Sequence, residues 1–153
     1  MFDKEGYNCP KCGASASGRK RRMTNECGQQ KRLDDRKKAN YIGSPQVFAL
    51  EQACRSINEA FDGYGCYLVG SCIERPDWRD VDVRFIMPDD RFAVLFPKAG
   101  QCWEQDARWL LLTVAISERL SKVTGLPIDF QIQPQTHANE RHKGPRHSIG
   151  LVI

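Results

Sequence analysis

The chain has 153 residues, 41% of them hydrophobic and 27% charged, with a formal net charge of +4. That is about one domain with a core of its own, and the composition is that of a globular chain rather than a disordered or collagen-like one. The longest apolar stretch, Trp109 to Ile116, is broken by Thr113 and is too short to cross a bilayer, so no membrane partner is expected.

No charged segment followed by an apolar run opens the chain, so no secretory signal is expected and a cytoplasmic location follows by default. Seven Cys residues, an odd number without a secreted-type framework, argue for reduced thiols. The charge is uneven: residues 1–44 carry 11 Lys/Arg against 5 Asp/Glu, whereas residues 45–153 carry 12 against 14. The expected organisation is therefore a basic, Cys-containing arm over 1–44 and a folded domain over 45–153.

Within the arm, Cys9 and Cys12 are spaced as one knuckle of a zinc ribbon, and Cys27-Gly28 ends like a second knuckle whose partner position is Thr24. Three thiolates stand where a closed structural Zn²⁺ site wants four ligands, so a degenerate ribbon and a disordered tail remain open readings. The basic runs at Arg19–Arg22 and Lys31–Lys38 suit phosphate contacts with a nucleic acid. A solvated arm is the plainer reading, because aromatic residues for base stacking are missing nearby.

Ser44-Pro45 predicts a helix start, with a hydroxyl cap before Pro, and the helix runs to about Asp62. Val47, Leu50, Cys54, Ile57 and Phe61 recur at three- and four-residue steps as one core-facing stripe. Gly63 and Gly65 lead into a strand at Tyr67–Val69, followed by a Gly70-Ser71 turn, a polar loop, and a second strand carrying Asp80 and Asp82. Carboxylates at i and i+2 of a strand face the same way, about 7 Å apart at Cα, with Val81, Val83 and Phe85 on the other side. Paired carboxylates repel, and a divalent cation relieves the conflict most simply. The small Gly70-Ser71 turn lets backbone N–H groups approach a phosphate closely. Cys72, with no His in the stretch to activate it, is expected to be a spectator.

Met87 to Arg91 reads as a turn, because Pro88 breaks the strand and the adjacent Asp89 and Asp90 point apart. Phe92 to Gly100 reads as a short loop packing Phe92, Leu95 and Phe96 inward. A long helix follows over about Glu104 to Val123, with Ala107, Leu110, Leu111, Val114, Ile116 and Leu120 as its apolar side, and Thr124-Gly125 capping it. Ile128 to Ile132 alternates cleanly, so it is a half-buried strand with Asp129 and Gln131 on one face. From Pro134 on, the polar, basic sequence with all three His residues reads as a solvated tail, or as a flap offering Arg141, Lys143 and Arg146 to a ligand.

The ordered set of an apolar residue with Gly70-Ser71, Arg75-Pro76-Asp77, Asp80-Val81-Asp82 and a later strand acid, Asp129, resembles the nucleotidyltransferase superfamily, especially its minimal members. The resemblance spans roughly residues 45–150; its departure is a loop from Ser71 to Asp80 a little shorter than in most members. It implies an α/β (α+β) fold, a small mixed β-sheet packed by helices. It also implies Mg²⁺ (or Mn²⁺) held by Asp80, Asp82 and Asp129 as the catalytic acids, in a two-metal arrangement. An NTP, expected to be ATP, would be gripped by Gly70, Ser71, Arg75 and Arg79. The implied reaction moves a nucleoside monophosphate from the NTP to an acceptor hydroxyl that the resemblance does not specify. The alternative is a nucleic-acid-binding or antitoxin-like interaction protein that keeps this fold without activity.

Overall fold

Period-two alternation sets the sheet. In a computed structural model, which describes residues 38–151, four strands form: β1 (Gly65–Val69), β2 (Val81–Met87), β3 (Ile128–Pro134) and β4 (His147–Ile149). Their order is β3-β2-β1-β4, with β2 and β3 parallel and the other two pairs antiparallel. One face carries Val81, Val83 and Phe85 beside Phe130, Ile132, Leu68 and Cys66, all with no exposed surface. Burying side chains of this kind stabilises by about 1.5–3 kcal/mol each, which fixes that face inward.

The helices that cover it are α1 (Gln46–Ala60), which buries Leu50, Ala53, Cys54 and Ile57, and α4 (Ala107–Thr124), which buries Trp109, Thr113, Leu120 and Thr124. Asp106 caps α4 by accepting from the N–H groups of Arg108 and Trp109, and Gly125 closes its other end as expected. Trp109 Nε1–H donates to the Ile132 carbonyl at 2.9 Å, while Ser117 Oγ donates to the Ile128 carbonyl at 2.7 Å, so α4 is pinned to β3 along its length. Three shorter α-helices, α2 (Ser71–Glu74), α3 (Asp89–Leu95) and α5 (Gln135–Arg141), and one 3-10 turn at Trp103–Gln105 complete the described unit. The architecture is thus a small mixed sheet packed by helices, the α/β class that the sequence implied.

Several local expectations are corrected. Ser44 does not cap α1; Pro45 holds the cap position, and the Val47 N–H donates to the Gly43 carbonyl instead. The stretch after Pro88 is helix α3 rather than a turn and loop, with Asp89 and Asp90 in its first turn, where carboxylates suit the exposed N–H groups. Phe92 and Phe96 do pack inward. On α4 the buried side is rotated: Leu110, Leu111 and Val114 are exposed, and Trp109 and Thr113 are in the core. The basic stretch after Pro134 is no free tail. It forms α5 and β4, and β4 pairs with the outer edge of β1, Cys66 opposite Ile149. Residues 39–42 also join the compact unit, Ala39–Ile153: Ile42 is buried, and the Tyr41 N–H donates to the Cys72 carbonyl at 2.7 Å. Cys9, Cys12 and Cys27, with the basic runs as far as residue 37, lie outside the described residues. Among the described residues, no helix is long and apolar enough to cross a membrane.

Candidate active site

The second face of the sheet is polar, and its side chains follow from register. Asp82 on β2 stands directly opposite Asp129 on β3, and Arg84 opposite Gln131. On the other side of β2, Val69 pairs with Asp82 and Tyr67 with Arg84. Pairing Val69 with Asp82 brings the next residue, Gly70, alongside the carboxylate. A Cβ on Gly70 would come within 2.5 Å of Asp82 Oδ2, and its φ of +73° is a conformation that side-chain-bearing residues rarely adopt. Glycine at this bend therefore lets the backbone meet the acid.

Arg84 organises the face. Its Nη2 donates to Asp82 Oδ1 at 2.8 Å and to Asp129 Oδ2 at 2.7 Å, while Nη1 donates to the carbonyls of Asp129 at 2.7 Å and Val83 at 3.2 Å. The Arg84 side chain is 7% exposed, against 22% for Asp82 and 44% for Asp129, so the pair is shielded on the arginine side and open on the aspartate side. Asp82 keeps its proton more readily than an ordinary carboxyl. Burial is the main cause, Asp80 and Asp129 add to it, and Arg84 opposes them.

The other expected residues fall around this centre. Asp80 lies in the bend just before β2, half-buried, and its charge is felt at Asp82. Ser71 opens α2, directly after Gly70. Arg75 is exposed and pairs with Asp77 at 3.5 Å, and Arg79 is exposed as well. Their loop is anchored by Trp78, whose Nε1–H donates to the Tyr41 carbonyl at 3.0 Å. Cys72 is buried and its thiol is pushed up to about 11, chiefly by that burial, so it stays protonated and inert as a nucleophile. Among the described residues, no group of three His, Cys, Asp or Glu side chains is arranged to hold one metal ion. Asp82 and Asp129 come together through Arg84, and Asp80, outside β2, has no part in that ion pair.

Three participants were not singled out from the sequence. Arg84 was legible in principle, since it lies at i+2 from Asp82 and so shares its face. Gln133, on the same face, is buried with Oε1 unpartnered and Nε2 donating to Gln131 Oε1 at 3.1 Å. His142, just after α5, has a buried Nε2 without a partner and is held in its neutral form first by burial and then by the charge of Arg84. Gln133 was legible in the same way, at i+4 from Asp129 on β3, whereas His142 is brought there only by the path of the chain after β3. Arg146 fastens this region: its Nη2 donates to the carbonyls of Ala138 at 2.8 Å and His142 at 3.0 Å, closing the end of α5.

A cleft of about 730 Å³ lies elsewhere, lined by Asp89, Trp103, Glu104, Pro134, His137 and Glu140 among others. Pro134 ends β3, whereas Asp129 is near its start, so the cleft is at the far end of the parallel pair from the acids. No known protein family, curated protein or solved structure matches the chain.

Proposed function

We propose that this chain is a nucleotidyltransferase, moving a nucleoside monophosphate from an NTP to an acceptor hydroxyl. The observation that carries the reading is the register of Asp82 opposite Asp129 on two parallel strands, with the Gly70 bend against the Asp82 carboxylate. Together with Asp80 these supply hard oxygen donors, the chemistry that suits Mg²⁺ or Mn²⁺. Arg84 takes one oxygen from each of Asp82 and Asp129, leaving Asp82 Oδ2 and Asp129 Oδ1 outside the ion pair. Three carboxylates against one guanidinium leave a negative surplus that a divalent cation would balance.

On this reading Asp80 and Asp82 would hold the ion that accompanies the triphosphate. Asp129, more exposed than Asp82 in the pair held by Arg84, would orient the acceptor hydroxyl or hold a second ion. Gly70 and Ser71 would offer backbone N–H groups to the outer phosphates, and Arg75 and Arg79 would neutralise the triphosphate from the loop. When bound, the cation supplies charge neutralisation on the phosphate oxygens. The test is labelling: the chain is incubated with each α-labelled NTP, Mg²⁺ and a cell extract. Label should pass to an acceptor and be lost in Asp82→Asn or Asp80→Ala, with the fold checked by circular dichroism. Undiminished labelling in both variants would remove the assignment.

A second reading also has an observation behind it. Arg84 already neutralises part of the acid pair, as expected of a fold retained for interaction rather than catalysis. Absence of labelling with every NTP, together with salt-sensitive nucleic-acid binding lost on deleting residues 1–40, would favour it.

A further inference from the structure

The hydrogen-bonding of Arg84 is nearly complete. A guanidinium has five N–H donors; the four on Nη1 and Nη2 meet four acceptors, namely Val83 O, Asp129 O, Asp82 Oδ1 and Asp129 Oδ2. Only Nε, buried within the same polar face, has no partner. Two of the four acceptors are strand carbonyls, which cannot turn away, so the fork is fixed from behind while Nη2 reaches between the carboxylates.

That position matters for metal binding. A Mg²⁺ or Mn²⁺ ion bridging Asp82 Oδ1 and Asp129 Oδ2 would need both oxygens at about 2.1 Å. Nη2 stands 2.8 Å and 2.7 Å from those same two oxygens, so an ion seated between them would meet a positive nitrogen that already bridges them. Their like charges would also repel strongly at such a distance in a partly buried site.

We propose that Arg84 is a built-in counter-ion: its Nη2 occupies the place of a cation bridging Asp82 and Asp129, and the protein without nucleotide takes no free divalent ion between them. The inference deepens the nucleotidyl-transfer reading in that it rests on Asp82 and Asp129 being the acids of the site. It narrows the two-ion arrangement that the resemblance implied, because one bridging position is filled by the chain itself. Any ion brought with a triphosphate is then left the oxygens outside the ion pair, Asp82 Oδ2 and Asp129 Oδ1, unless Arg84 leaves its carbonyls.

The experiment is a Mn²⁺ titration of the full chain without nucleotide, followed by the electron paramagnetic resonance signal of free Mn²⁺. The wild type should show no site tighter than about 1 mM between these acids. Arg84→Gln and Arg84→Met should each gain a site at least roughly ten-fold tighter, since a fixed positive charge has been removed from its centre. Adding Asp129→Asn to Arg84→Gln should abolish the gain. Equal Mn²⁺ affinity in the wild type and the folded Arg84 variants, tight or weak, overturns the proposal. If neither Arg84 variant folds, the wild type against Asp129→Asn decides: a tight site lost in Asp129→Asn refutes it, and unchanged weak binding upholds it. Nucleotide is absent throughout, so a failure of label transfer would end the enzymatic reading and leave this result untouched.

Discussion

Gly70→Ala probes the point where backbone and acid meet. Gly70 has φ +73° and ψ −152°, a region almost reserved to glycine, and holding alanine there costs about 1–3 kcal/mol. The new Cβ would also stand 2.5 Å from Asp82 Oδ2. A carboxylate oxygen is the far end of a side chain, so Asp82 can turn aside, and this overlap adds little to the stability cost. The turning, however, draws Oδ1 off Arg84. Unfolding in urea, followed by Trp fluorescence, should show a loss of about 1–3 kcal/mol, and a thermal melt a Tm lowered by roughly 4 °C for each kcal/mol in a unit of this size. Label transfer per folded molecule should fall at the same time. Gly150→Ala supplies the contrast, since its Cβ would meet the Arg55 nitrogen at 2.6 Å and the Cys54 carbonyl carbon at 2.7 Å. Those are backbone atoms of α1 and cannot rotate away, so stability should fall further, while transfer per folded molecule stays. Should Gly70→Ala unfold within about 0.5 kcal/mol of wild type and keep full transfer, the geometry assigned to the bend is wrong.

Two further outcomes are expected. Because Asp82 titrates above the usual carboxylate value, the fold binds its proton more tightly than the unfolded chain does; that stability is present at low pH and is lost as pH rises through the folded value. Asp82→Asn should therefore be as stable as wild type or more so at neutral pH, flatten the pH dependence on thermal melts, and abolish transfer; a clear loss of stability at neutral pH would contradict it. Leu120, with no exposed surface, should cost about 2–5 kcal/mol as Leu120→Ala, whereas Leu111→Glu, at a position 71% exposed on the same helix, should change stability by less than about 0.5 kcal/mol in urea unfolding.

What the sequence made legible follows a physical divide. Strand alternation is local, so the shared face of Asp82 and its neighbours, and the half-buried character of Ile128 to Ile132, could be read from two-residue periodicity. Register between strands is not local, and nothing in the chain alone places Asp129 opposite Asp82 rather than Arg84. The rotation of α4 is hidden from the sequence for a related reason. Leu110, Leu111 and Val114 are more apolar than Thr113 and Ser117, but the bonds from Trp109 to Ile132 and from Ser117 to Ile128 fix which side meets β3. Apolar content measures what burial gains; it does not say which polar groups find partners when a helix docks. β4 is three residues long, too short for any period, and exists because β1 offers it an edge.

Arg84 shows how the same divide bears on function. From the sequence, paired strand acids call for a cation, and the simplest supplier is solution. Within the fold, a guanidinium of the chain already sits between the acids, from the strand of Asp82 and at a spacing that puts it on the same face. An arginine there cannot be a surface accident, because a buried, forked charge held by two carbonyls and two carboxylates would be costly anywhere its partners were absent. The acids in turn stay tolerable in a half-buried sheet without a bound ion. A site built so is charge-restrained by the chain itself, and the Asp82 oxygen outside the ion pair, Oδ2, faces the Gly70 bend.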